Sequence, residues 1–144
     1  MAVIDALNGY EAGVPFRTSG ALFVLENTID FDALNVASGD VIQALPVGAG
    51  MRVLLVETEI VTPSDAGTSA TATIGDGDDD DGFDADVDLK ATAGTIVSTG
   101  SGDAYAVSGK RYTEDDTIDI IPTWSGDVSV KGKVKIRALV AKMG

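Results

Sequence analysis

The segment "DVSVKGKVKIRALVAKMG", residues 127–144, decides what kind of fold this chain adopts. Val128, Val130, Val134, Ile136, Ala138 and Val140 occupy one parity, and Ser129, Lys131, Lys133, Lys135 and Arg137 occupy the other. Successive side chains of a strand point to opposite faces, so this alternation predicts an antiparallel strand with one buried face and one basic face. Wound as a helix, the same residues would scatter both classes around the cylinder.

Strand chemistry recurs upstream, punctuated by turn signals. "ALFVLENTIDF" (21–31) is rich in β-formers, and "NVASGD" (35–40) is a turn leading into "VIQALPV" (41–47), where Pro46 marks a strand end or a sheet edge. "MRVLLVETEIV" (51–61) is apolar on both faces near its start and alternates later, as a central strand that becomes half exposed does. "TSATATI" (68–74), "SGDAYAVSGKRY" (101–112) and "DTIDIIPTW" (116–124) supply further short strands, with Gly109-Lys110-Arg111 read as a hairpin turn. "FDALNVAS" (31–38) has room for one helical turn. Strands at this spacing, with 17 glycines, predict an all-β, antiparallel β-sandwich, jelly-roll-like, forming a single domain over residues 21–144. Residues 1–20 show no sustained period and read as an extended N-terminal arm. Its apolar Val3, Ile4, Leu7, Tyr10, Val14 and Phe16 are expected to contact a partner.

Composition removes several classes of function. The 144 residues carry a formal net charge of −13, which disfavours a nucleic-acid partner because phosphate binding runs on Lys and Arg. With neither cysteine nor histidine, the usual zinc sites, thiol nucleophiles and Ser-His-Asp relays lack their side chains, and no disulfide contributes. The start "MAVIDALNGYEAG" has neither a basic n-region nor a long apolar run, so no signal peptide is expected there, and no eighteen-residue apolar stretch suggests a membrane partner. No cofactor is expected.

"IGDGDDDDGFDADVDL", residues 74–89, holds eight aspartates and no base before Lys90. A calcium loop needs acidic oxygens at alternate positions and glycine at the sixth. A frame beginning at Asp76 puts Asp81 where glycine is required. One beginning at Gly77 aligns Gly82, with Asp79, Asp81 and Asp88 at ligand positions three, five and twelve, but has no first carboxylate. Asp76, Asp78, Asp79, Asp81 and Asp88 are therefore weak calcium candidates, and a solvated acidic turn is the default expectation. Beyond it, Asp84, Asp86 and Asp88 alternate with Phe83, Ala85, Val87 and Leu89, predicting an acidic-faced strand. This acidic row and the basic row Lys131, Lys133, Lys135 and Arg137 are expected to face one another or a complementary neighbour.

Other motifs are thin. The phosphate-loop pattern around Gly109-Lys110 fails twice, at Ala104 and at Arg111. A glycosidase pair of carboxylates is conceivable among 23 acids, yet four Phe, three Tyr and one Trp are few to line a sugar cleft. Trp124 reads as a core or interface residue. No catalytic residue is assigned.

Taken in order, "ENTIDFDALNVASGDVIQALPVGAGMRVLLVETEIVTP", "ATATIGDGDDDDGF", "KRYTEDDTIDI" and "VKIRALVAKM" resemble small structural proteins of tailed bacteriophages, the head decoration or cement proteins encoded near the major capsid protein. The resemblance covers about residues 26 to 142 and not the first 25. It implies a non-enzymatic virion protein, made in the bacterial host cytoplasm, that binds the outer surface of the major capsid protein shell and stabilises it, as a homotrimer at threefold or quasi-threefold positions. A neck or tail position is the nearest alternative. From another class, the rival reading is a calcium-stabilised β-sandwich binding module for carbohydrate or a cell surface.

Overall fold

The computed structural model describes residues 21–126 and 131–142, and every regular element among them is a strand. They run β1 (Ala21–Asp30), β2 (Ile42–Val47), β3 (Met51–Thr62), β4 (Ser69–Gly75), β5 (Asp84–Asp88), β6 (Ile96–Ser98), β7 (Lys110–Arg111), β8 (Asp116–Ser125) and β9 (Lys133–Lys142). One sheet has the order β1-β9-β3-β6, with the two-residue β7 also pairing β3; the other has the order β2-β8-β4-β5. All pairings are antiparallel. Setting β7 aside, each sheet alternates early strands with late ones, which is the double-sheet jelly roll.

The closing strand occupies the place its pattern predicts. Val134, Ile136, Ala138 and Val140 of β9 are buried, and the residues between them are half-buried. Both neighbours pair with β9 over its full length, β1 from Ala21↔Lys142 to Asp30↔Lys133 and β3 from Met51↔Lys142 to Thr62↔Lys133. The inner face of β9 meets Val53, Val56 and Ile60 of β3 and, across the sandwich, Leu45, Ala72, Ile74, Val87, Ile118 and Ile120 of the other sheet, in one buried cluster.

Bulges explain where simple alternation fails. In β3 the register shifts between Val53 and Leu55, so Val53 and Val56 both point inward although three residues apart. That shift is the physical origin of the doubly apolar start of this strand. β2 lies at a sheet edge, as Pro46 indicates, and its own shift between Gln43 and Leu45 buries Ala44 and Leu45 side by side. The 31–38 stretch makes a single turn, closed by Leu34 N–H to the Asp30 carbonyl at 3.1 Å and capped by Asp30 Oδ1, which accepts from the amides of Asp32 and Ala33. Gly109-Lys110-Arg111 is not a hairpin turn: Lys110 and Arg111 instead form β7 along the margin of β3. Val128, Ser129 and Val130 lie outside the described residues, as does the 1–20 arm.

A fully buried aliphatic side chain contributes about 1.5–3 kcal/mol by leaving water. Ile136→Ala is therefore expected to lower unfolding free energy by about 2–5 kcal/mol, transfer and cavity terms together. Lys135→Ala, one residue away on the outer face, should cost no more than about 1 kcal/mol. Urea midpoints of the two variants measure the contrast.

Candidate functional site

The acidic loop between β4 and β5 is built around one carboxylate. Asp76 is buried, and its Oδ1 accepts from the amides of Asp78 at 3.0 Å and Asp79 at 2.9 Å, an aspartate turn that folds the loop back on itself. The same oxygen accepts from Tyr105 Oη at 3.0 Å, and Oδ2 accepts from Tyr112 Oη at 2.7 Å. Four protein donors stand in for water at this carboxylate, three on Oδ1 and one on Oδ2. Asp76 is thus a structural acceptor between the β4–β5 loop and the β6–β8 connection.

The tyrosines complete a small polar knot. Burial, followed by the neighbouring Asp76, pushes both phenols well above their ordinary value, so they act as protonated donors. The Tyr105 ring meets Phe83 edge-on, with centroids 4.8 Å apart. Lys110 Nζ lies 5.3 Å from the Tyr105 ring centre and 5.9 Å from that of Tyr112, and pairs with Asp78 at 2.8 Å. Two glycines permit this closeness. A Cβ on Gly75 would stand 2.1 Å from the Asp79 carbonyl, and one on Gly82 would stand 2.3 Å from the Tyr105 ring.

The five calcium candidates do not converge. Asp76 accepts four protein hydrogen bonds, Asp78 is turned to Lys110, and Asp88 lies at the far end of β5, where it accepts from the Lys90 amide. Asp79 and Asp81 do come together, but with Asp80, their carboxylate oxygens all within 4.8 Å. A side-chain hydrogen bond with Asp79, then burial and the charges of Asp79 and Asp80, raise the Asp81 carboxyl. Calcium takes six to eight oxygens, and neither loop frame is realised by this arrangement.

The two charge rows do not meet within the molecule. β5 and β9 belong to different sheets, and β5 is itself interrupted: Ala72 pairs with Val87 and Ile74 with Asp84, so Ala85 and Asp86 together oppose Thr73. The bulge turns Asp84 onto the side of Val87, and Asp84 is buried while Asp86 and Asp88 stay exposed. No continuous acidic row exists. The basic row instead faces carboxylates on its own neighbours. Arg137 joins Glu26 of β1 at 2.9 Å with Glu57 and Glu59 of β3 at 2.8 and 3.1 Å. Lys135 reaches Glu26 at 3.9 Å and Lys133 reaches Asp30 at 3.7 Å. Donation to Glu26 and Glu59 raises the Arg137 guanidinium above its ordinary value. Lys131 lies just before β9, where its amide donates to Asp65 Oδ1.

Val3, Ile4, Leu7, Tyr10, Val14 and Phe16 fall outside the described residues. Trp124 is half-buried against the core, and its amide donates to Ser38 Oγ. The roles of Tyr105, Lys110 and Tyr112 were invisible in the sequence, because Asp76 is 29 residues from one tyrosine and 36 from the other. Surface depressions of about 160 Å³ beside Asp30 and Lys133, and about 140 Å³ beside Asp78 and Arg111, mix both charge signs.

No family model matches the chain, and no curated protein does. Solved structures do. A chain of the cyanophage Pam1 capsid asymmetric unit is similar over 100% of both chains, at a TM-score of 0.63 and 14% identity. A chain of the Ralstonia phage GP4 capsid covers 90% of this one and is itself covered over 89%, at 0.62 and 12%. A chain from the acidic stable capsid structure of Helicobacter pylori bacteriophage KHP30 gives 88% and 94%, at 0.62 and 12%. At these identities the likeness is one of fold.

Two tests follow from the carboxylates. Burial raises both Asp84 and Asp119 above the ordinary value. A carboxyl raised in the folded state binds its proton more tightly there than in the unfolded chain. Its stabilising contribution is complete below the unfolded value of about 3.9 and is lost as the pH climbs through the folded one. Asp84→Asn should therefore be at least as stable as the parent at neutral pH and gain less on acidification, measured by urea midpoints against pH. Chelation with EDTA should move the melting temperature by no more than about one or two degrees; a fall of about ten degrees, reversed by calcium alone, would establish a structural site.

Proposed function

We propose that this chain is a non-enzymatic structural protein of a phage virion, a decoration or cement protein bound to the outer surface of the major capsid protein shell. The observation that carries the reading is the jelly roll shared end to end with a chain of a phage capsid asymmetric unit. Jelly rolls also serve lectins and cupins. The order of sequence blocks and the structural use of Asp76 favour the shell: the most buried acid among the described residues holds two loops together through four protein donors.

In this reading residues 21–144 form one domain and residues 1–20 an arm that docks on the shell through Val3, Ile4, Leu7, Tyr10, Val14 and Phe16. The functional unit is a homotrimer at threefold or quasi-threefold positions. Its mechanism is physical: each copy adds buried area between capsomers, and that area must be exposed again before the shell can part under the pressure of packaged DNA.

Co-sedimentation with undecorated shells tests this. The intact protein is expected to pellet with particles and to raise the temperature at which they release DNA. A variant lacking residues 1–20 should keep its β-sheet circular dichroism and its cooperative melt but stay in the supernatant. Particles indifferent to the intact protein would remove the decoration reading, and full binding by the truncated form would remove the arm from it.

A further inference from the structure

Sheet edges are where a second chain can add, and this molecule treats its edges unequally. β2 carries Pro46 and a bulge, β5 is bulged and bears exposed aspartates, and β6 is three residues long. Each is a recognised way of discouraging strand addition. β1 has neither a proline nor a bulge, although it bears exposed Glu26 and an Asn27 side chain that donates to the Ala44 carbonyl of β2. β1 is ten residues long and in unbroken register with β9. Among the described residues β9 is its one strand neighbour.

The outer face beside this edge carries exposed apolar side chains. Leu22 and Val24 are 65% and 56% exposed, and they stand opposite Ala141 and Leu139 of β9, so the corner is apolar. Directly opposed residues share a face. Arg111, Arg52 and Ala141 therefore continue the row from Leu22, while Arg137, Lys135 and Lys133 lie further along with Glu26, Glu57, Glu59 and Asp30. Five bases stand against four carboxylates on this face, in a chain whose formal net charge is −13. It is a locally cationic, partly apolar surface on an acidic protein.

We propose that a second copy of this chain docks on the edge of β1 that faces away from β9 and on its apolar corner, presenting part of its acidic surface to Arg52 and Arg111. The contact is head-to-tail, since a cationic face complements the acidic remainder of another copy better than it complements itself. The proposal rests on the assembly reading above and specifies which surface makes the contact between copies.

Sedimentation velocity of the full-length protein over a concentration series tests it, with Leu22→Asp/Val24→Asp compared with Leu22→Lys/Val24→Lys. Both positions are exposed, so the melting temperature should stay near that of the parent and report that folding is intact. The parent should self-associate, and less so in about 1 M salt, where charges are screened within about 3 Å. The aspartate pair should weaken association at least tenfold, and the lysine pair distinctly less, because only aspartate opposes an acidic partner. Arg111→Glu should act in the same direction as the aspartate pair. A parent that stays monomeric throughout, an aspartate pair that associates like the parent, or equal losses from aspartate and lysine would overturn the proposal. A monomer that still decorates shells would remove this contact alone. An associating protein that ignores shells would remove the decoration reading and leave the contact standing.

Discussion

The first sheet cannot close until the last strand arrives. β9 lies between β1 and β3, hydrogen-bonded to both, so strands formed early in the chain have no common partner until the C-terminal segment inserts. Arg137 reaches Glu26 across 111 residues of sequence. Such non-local pairing carries a loop-closure cost before any contact rewards it, which places this topology among the slower-folding ones. It also explains why β9 has the strictest alternation in the chain. A one-residue slip of a strand with two hydrogen-bonded neighbours and one core face would expose Val134, Ile136, Ala138 and Val140 together.

Twenty-three acids must be accommodated around that core, and the fold sorts them by environment. Asp76 goes inside because two backbone amides and two phenols replace its water. Glu26, Glu57 and Glu59 stay at the surface around Arg137, where solvent screens them and each pair contributes little. Their consequence is alignment more than energy: one planar guanidinium with three carboxylates on two flanking strands favours a single stagger of β1, β9 and β3. Asp79, Asp80 and Asp81 remain crowded at the loop surface, and the raised Asp81 carboxyl records that crowding.

Bulges decide much of what faces where. Those in β2, β3 and β5 each turn a residue that alternation would send outward towards the core, and the one in β5 internalises Asp84. One result is a carboxyl whose charged form is disfavoured by burial.

Read alone, the chain's pattern determined most of the longer strands, the antiparallel class and the two-faced character of β9, because each follows from the period-two geometry of a pleated backbone; it missed β6, and of the stretch read as a strand over 101–112 only Lys110 and Arg111 are strand. The turn at 31–38 was likewise legible, since Asp30 caps it locally. The bulge in β5 was not, because a one-residue mismatch is a property of two paired strands and leaves no mark in either of them singly. Nor was the partner of the basic row: β1 and β3 carry ordinary surface glutamates until β9 lies between them. The Asp76 knot depended on tertiary structure most of all. A buried carboxylate becomes stable only when donors distant in sequence replace its water, and which of eight neighbouring aspartates receives them is settled by where the β6–β8 connection packs.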